Sequence, residues 1–158
     1  GLGEELMGIF GAQKVSHGLS LEAKAMVEAY FQRRGLNPAD HMLNDASGLG
    51  WWLMEGSAKI FIFVQDGPQG AILRLTSPLV HLPKQNLEQF YRRLLDLNGT
   101  LSSCAISTHE DLALVVAQRP TFGLIQEELD DLVWHVAYVA DLLDNKLAEE
   151  FGCQMYSG

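Results

Sequence analysis

The chain has 158 residues, 47% hydrophobic and 20% charged, with a formal charge of −9 from 20 acidic and 11 basic residues. Length and composition are those of one globular domain that buries a core without disulfide or metal staples, which excludes a disordered chain. The acidic balance repels phosphate backbones and excludes nucleic acid as the main partner.

The two cysteines, Cys104 and Cys153, form no disulfide framework. Cys104 falls in an apolar strand pattern and Cys153 in a tail expected to fray. Both read as reduced thiols of a cytoplasmic protein. No basic region followed by an apolar core opens the chain, and no run reaches the roughly 18 apolar residues of a membrane span, so no membrane partner is expected.

In chain order, residues 1–19 carry Leu2, Leu6, Ile9 and Phe10 at near-helical spacing among four glycines, which predicts a loose short helix or arm. That arm either docks on the domain or faces a partner. Ser20 as N-cap and Gly35 as stop predict a helix over Leu21–Arg34, with Leu21, Ala25, Met26, Ala29 and Tyr30 as its buried stripe. Asn37-Pro38 breaks the chain, and a polar loop follows to about Gly48. Trp51–Met54 reads as a short strand.

Ala58–Val64 and Ala71–Thr76 then form an antiparallel hairpin across Asp66-Gly67-Pro68-Gln69-Gly70. Ile60, Ile62 and Val64 share one face, and Phe61 and Phe63 the other. A strand apolar on both faces belongs inside a covered sheet. Pro78 and Pro83 bracket the exit. Lys84–Asn98 predicts a helix with Leu87, Phe90, Tyr91, Leu94 and Leu95 on one side. Leu101–Ser107 and Leu112–Gln118 predict a second hairpin across Thr108–Asp111. A long helix from Thr121 or Phe122 to about Glu150 closes the pattern, with Ile125, Leu129, Leu132, Val136, Ala140, Leu143 and Leu147 as its stripe. The order α-β-β-β-α-β-β-α indicates an α+β fold around an antiparallel sheet of about five strands. The expected organisation is an arm over 1–19, one domain over 20–150 and a tail over 151–158.

At 100° per residue, Trp134 and Tyr138 fall nearly opposite the long helix's stripe, with Leu142 beside it, among Glu127, Asp131, Asp141 and Asn145. Three readings stay open: cover by the N-terminal arm, a dimer contact, or a protein or peptide groove. Trp51 and Trp52 point to opposite faces of their strand. One belongs to the core, and the other is a candidate for a dimer seam or binding surface.

The residues that could carry chemistry are scattered. His17, His41, His81, His109 and His135 sit in no HExxH pattern, and no cysteine pair has zinc spacing. Glu128, Asp131 and His135 share a helix face at i, i+3 and i+7, which is half of a carboxylate–histidine metal site. No second Glu-x-x-His helix supplies the rest, so a solvated charged face is the expectation. Cys104 near a hairpin with His109 could form a nucleophile and base, but no nucleophile elbow surrounds it, and a buried structural thiol is the default. No phosphate-cradling glycine motif is present. No catalytic residue, metal or cofactor is expected.

The stretch Gly50-Trp51-Trp52 leading to Gly56-Ser57-Ala58-Lys59-Ile60-Phe61-Ile62, the helix after Pro83, and the Leu112–Gln118 strand before the closing helix together resemble the type III secretion chaperone-like fold, and within it the YbjN family. The likeness covers roughly residues 20–150 and carries no catalytic set. It implies a cytoplasmic homodimer that holds an extended, unfolded segment of another protein, or a regulatory, stress-related role as for the YbjN group. The extra segment 1–19 departs from the pattern. The expected function is therefore a non-enzymatic, chaperone-like or regulatory protein-binding module. The alternative is a small-molecule sensor with an apolar pocket between the last helix and the sheet.

Overall fold

The structure is a computed structural model, and it describes residues 1–9, 18–44, 49–67 and 70–158, with the side chains of Ile9 and Leu19 excepted. His17, Phe10, the end of the polar loop before Gly48 and the turn residues Pro68-Gln69 lie outside the described residues. The elements are α1 (Leu2–Ile9), α2 (Gly18–Arg33), a 3-10 turn (Pro38–His41), β1 (Leu49–Glu55), β2 (Ala58–Gly67), β3 (Gly70–His81), α3 (Leu87–Asn98), β4 (Ala105–His109), β5 (Leu112–Pro120) and α4 (Gln126–Phe151). The strands form one antiparallel five-stranded sheet in the order β1-β2-β3-β5-β4. The expected α+β architecture and element order are observed.

The two-sided apolar strands take interior places. Ile60 to Val64 of β2 are all buried, as are Ala113, Leu114 and Val115 of β5, and both strands have neighbours on each side. Burial of each large aliphatic or aromatic side chain contributes about 1.5–3 kcal/mol, so these two runs anchor the core.

The chain divides into two compact units. The first comprises Gly1–Leu53, Phe61–Leu75 and Gln118–Val133. Its core includes Leu6 and Met7 of α1, Val27 and Phe31 of α2, Trp51, Phe61 and Phe63. The Gln65 side-chain amide donates to the Met7 carbonyl at 3.3 Å. Glycines that weaken α1 as an isolated helix serve its packing. A Cβ on Gly3 would stand 2.7 Å from a Leu43 methyl, and one on Gly50 2.9 Å from the other.

The α2 stripe differs from expectation. Ala23, Val27, Tyr30 and Phe31 are buried, while Leu21 is 52% exposed. Apolar residues surround this helix, and the bulkier Val27–Phe31 set wins the core. Ser20 lies inside the helix rather than at its cap, and its hydroxyl donates to the Asp66 carboxylate. Arg33 grips both carboxylate oxygens of Asp130 at 2.7 and 2.6 Å, and Gln126 donates to the Met26 carbonyl at 2.9 Å.

The second unit comprises Met54–Ile60, Thr76–Ala117 and Trp134–Gly158. Here β3 runs on through Pro78 to His81, past the expected end at Thr76, because Leu79 and Val80 are buried. α3 starts at Leu87 rather than Lys84, after Asn86 in the left-handed region at φ 58. Phe90 and Leu94 carry its packing, and Leu95 is 68% exposed. Phe90 meets Phe151 edge-on at 5.1 Å. β4 begins at Ala105, later than expected, and includes Thr108 and His109, so the hairpin turns tightly at Glu110-Asp111 with His109 opposite Leu112. At the sheet edge, the Asn98 amide bonds both the Ile106 N–H, at 2.7 Å, and its carbonyl, at 3.2 Å. α4 starts at Gln126 after a turn through Thr121–Ile125 in which Gly123 takes φ +74.

Candidate protein-binding surface

Trp134, Tyr138 and Leu142 recur every fourth residue of α4, which places them in one stripe. They are 60%, 53% and 45% exposed, on the side away from buried Val133, Val136, Ala137, Ala140 and Leu143. The two rings stack with centroids 5.4 Å apart and planes within 12°. Aromatic rings left this open, and paired, form a preorganised apolar platform whose burial by another chain is favourable. Asp141 beside them accepts a hydrogen bond from the Ser57 hydroxyl at 2.8 Å. One turn further, the Asp144 carboxyl is held above its usual range by burial, with Asp141's charge adding to the effect against an opposing main-chain N–H. The platform is thus bordered by acids.

The two β1 tryptophans separate as their alternation requires. Trp51 is fully buried and belongs to the core, its indole N–H without a partner among the described residues. Trp52 is half-buried. Its ring lies 4.6 Å from that of His41, whose Nδ1 donates to the Trp52 carbonyl at 2.9 Å. Phe31 continues this row at 5.3 Å from His41.

Glu128 is engaged by Arg119. The His135 ring donates to the Ser102 carbonyl at 2.6 Å. Cys104 directly precedes β4 and His109 ends it, about 16 Å apart at strand rise. Burial pushes the Cys104 thiol up, away from the thiolate that attack requires.

Residues 153–158, expected to fray, are tied down instead. Gly152 takes φ +64 and reverses the chain after α4. Met155 then pairs antiparallel with Val80. A cleft of about 280 Å³ lies under this segment, lined by Met54, Ala58, Leu79, Ala140, Asp144 and Tyr156 among others. Sequence reasoning missed it because so short a segment shows no periodicity. The only signal was a glycine following a helix.

A family model described as T3SS (YopN, CesT) and YbjN peptide-binding chaperone 1, TY-Chap1, matches residues 23–157. The chain belongs to this family. Membership makes it a protein-binding chaperone and not an enzyme. The TY-Chap1 fold is shared with two solved complexes. One is described as the crystal structure of the ExsC-ExsE complex, with a TM-score of 0.64, 14% identity, and 83% of this chain and 97% of that chain covered. The other is the HopA1-SchA chaperone-effector complex, with a TM-score of 0.59, 12% identity, and 83% and 99% covered. No curated protein sequence matches. Among the described residues, no helix of this TY-Chap1 chain is long and apolar enough to cross a membrane.

Proposed function

We infer that this protein is a cytoplasmic, homodimeric chaperone that holds an extended, unfolded segment of a client polypeptide. The observation that carries the reading is the open Trp134–Tyr138 stack with Leu142 beneath it. A client's apolar side chains cover that stripe, and half-buried Trp52 of the first unit is a separate candidate for a dimer seam or binding surface. The net charge of −9 favours clients with basic stretches and raises their encounter rate. Family membership and the chaperone-effector complex of the same fold support the reading. A regulatory role in stress or signalling follows where the client is itself a regulator.

A small-molecule pocket is less favoured. The cleft between α4 and the sheet is about 280 Å³, below the usual range of roughly 300–1,000 Å³, and Lys59, Asp144 and Asn145 share its lining. The test is suppression of aggregation of a denatured protein, with light scattering for the oligomer. Trp134→Ala/Tyr138→Ala retains its fold and loses the suppression if the reading holds. Undiminished suppression contradicts it.

A further inference from the structure

In the second unit the end of β3 pairs with the segment that follows α4. β2 has ten residues and β3 twelve, and β3 continues to His81. The overhang leaves main-chain groups on the side β2 has vacated. The segment after Gly152 fills this place. The Tyr156 N–H donates to the Leu79 carbonyl at 3.0 Å, and the His81 N–H donates to the Gln154 carbonyl at 2.8 Å. Met155 faces Val80 as an isolated antiparallel bridge. Beyond it, the Lys59 ammonium donates to the Gly158 carbonyl at 2.9 Å.

We propose that the Leu79–His81 overhang is a β-augmentation site for an extended client segment, which Gln154–Tyr156 occupies until a client strand displaces it. The proposal rests on the peptide-binding reading and names a second contact for the same client, distinct from the α4 stripe.

The pairing is a single isolated bridge, as is that of Met42 with Trp51. Its occupant keeps Gln154 exposed and Met155 38% exposed. It hangs on a left-handed glycine, so it can swing away without unwinding α4. Asn98 of α3 seals Ile106 at the β4 edge, and Met42 and Leu43 pair with β1 at Trp51 and Gly50.

The occupant also states the chemistry of its replacement. It is an uncharged extended segment carrying an unbranched apolar residue followed by an aromatic one. Main-chain hydrogen bonds give it affinity, and the cleft beneath Tyr156 gives it selectivity. Clefts flank the bridge on both sides. The second, about 590 Å³, is lined by His81, Pro83, Lys84, Asp111, Phe151 and Cys153 among others. A longer client strand that enters both would outcompete a tethered segment whose effective concentration is of millimolar order.

The test uses the full chain and a permanently unfolded probe, reduced and carboxymethylated lactalbumin. Amide exchange is followed by NMR during the titration. At saturating probe, the Tyr156 amide is expected to lose about tenfold or more of its protection, while the His81 amide, now paired with the probe, stays slow. Tyr156→Pro, which lacks the donor to Leu79, is expected to bind the probe about tenfold more tightly. Bound probe with Tyr156 protection unchanged and equal affinity for Tyr156→Pro overturns this site and leaves the chaperone reading standing. Failure of both proteins to bind the probe overturns both. A concentration-dependent dimer that Tyr156→Pro abolishes would place a second copy's segment on the overhang and overturn the client assignment.

Discussion

The indole of Trp134 and the phenol ring of Tyr138 stack on one turn of α4 with centroids 5.4 Å apart, and both are more than half exposed. Stacking across i and i+4 holds the rings in one rotamer pair before any partner arrives, which lowers the entropic cost of covering them. Neither ring supports the core, so Trp134→Ala and Tyr138→Ala should each leave stability within about 0.5 kcal/mol of the parent, read by thermal or urea unfolding. A loss above about 2 kcal/mol would mean that the rings are structural.

The interior of the sheet should respond very differently. Phe63 is fully buried on β2, and Phe63→Ala removes a ring from a strand packed on both faces. The expected loss is about 3–5 kcal/mol in urea unfolding, with the transition's slope unchanged.

The bidentate pair of Arg33 and Asp130 joins α2 to the start of α4 at the surface of the first unit. Arg33 is 55% exposed and Asp130 26%, so screening keeps its contribution small. A double-mutant cycle of Arg33→Ala and Asp130→Ala should give a coupling of about 0.2–1 kcal/mol that shrinks as salt is raised.

Asp144 gives a pH signature. Burial raises its carboxyl in the folded chain, and Asp141 raises it further. The folded state therefore holds its proton to higher pH than the unfolded state does. Stability falls as pH rises through that interval, and the full penalty stands at neutral pH. Asp144→Asn should raise the melting temperature slightly at pH 7 and lose that advantage below the carboxylate range. A gain that persists or grows in acid would contradict the assignment.

Both thiols are held above their ordinary range by burial. Cys104 and Cys153 should therefore react with a thiol reagent more slowly at pH 7 than free cysteine does, and faster as pH rises. Rapid labelling of Cys104 at neutral pH would reopen a nucleophilic role.

Much of the fold was legible because its strongest signals are local and redundant. Ile60 to Val64 can satisfy two apolar faces only inside a sheet, and Ile125–Leu147 repeats long enough to fix a helix. What was hidden depends on partners distant in sequence. Pro78 reads as a stop, yet β3 continues past it because Leu79 and Val80 are buried and Gln154 and Tyr156 pair beside them. Ser20 reads as a cap, but its hydroxyl is drawn to Asp66. On α2, small apolar residues on every side left the stripe to be decided by Val27 and Phe31. The exposed rings of α4 were visible from the helical angle alone. The closing segment at β3 was not, since a bridge between Val80 and Met155 has no counterpart in periodicity.

The central claim is that the outer face of α4 receives an unfolded chain. Its most direct measurement is indole fluorescence of a Trp52→Phe variant, in which Trp134 is the one remaining exposed tryptophan, titrated with reduced, carboxymethylated lactalbumin bearing a quencher. The account predicts saturable quenching that disappears when Tyr138→Ala and Leu142→Ala are added to that variant. Binding that leaves the Trp134 emission unchanged would contradict it.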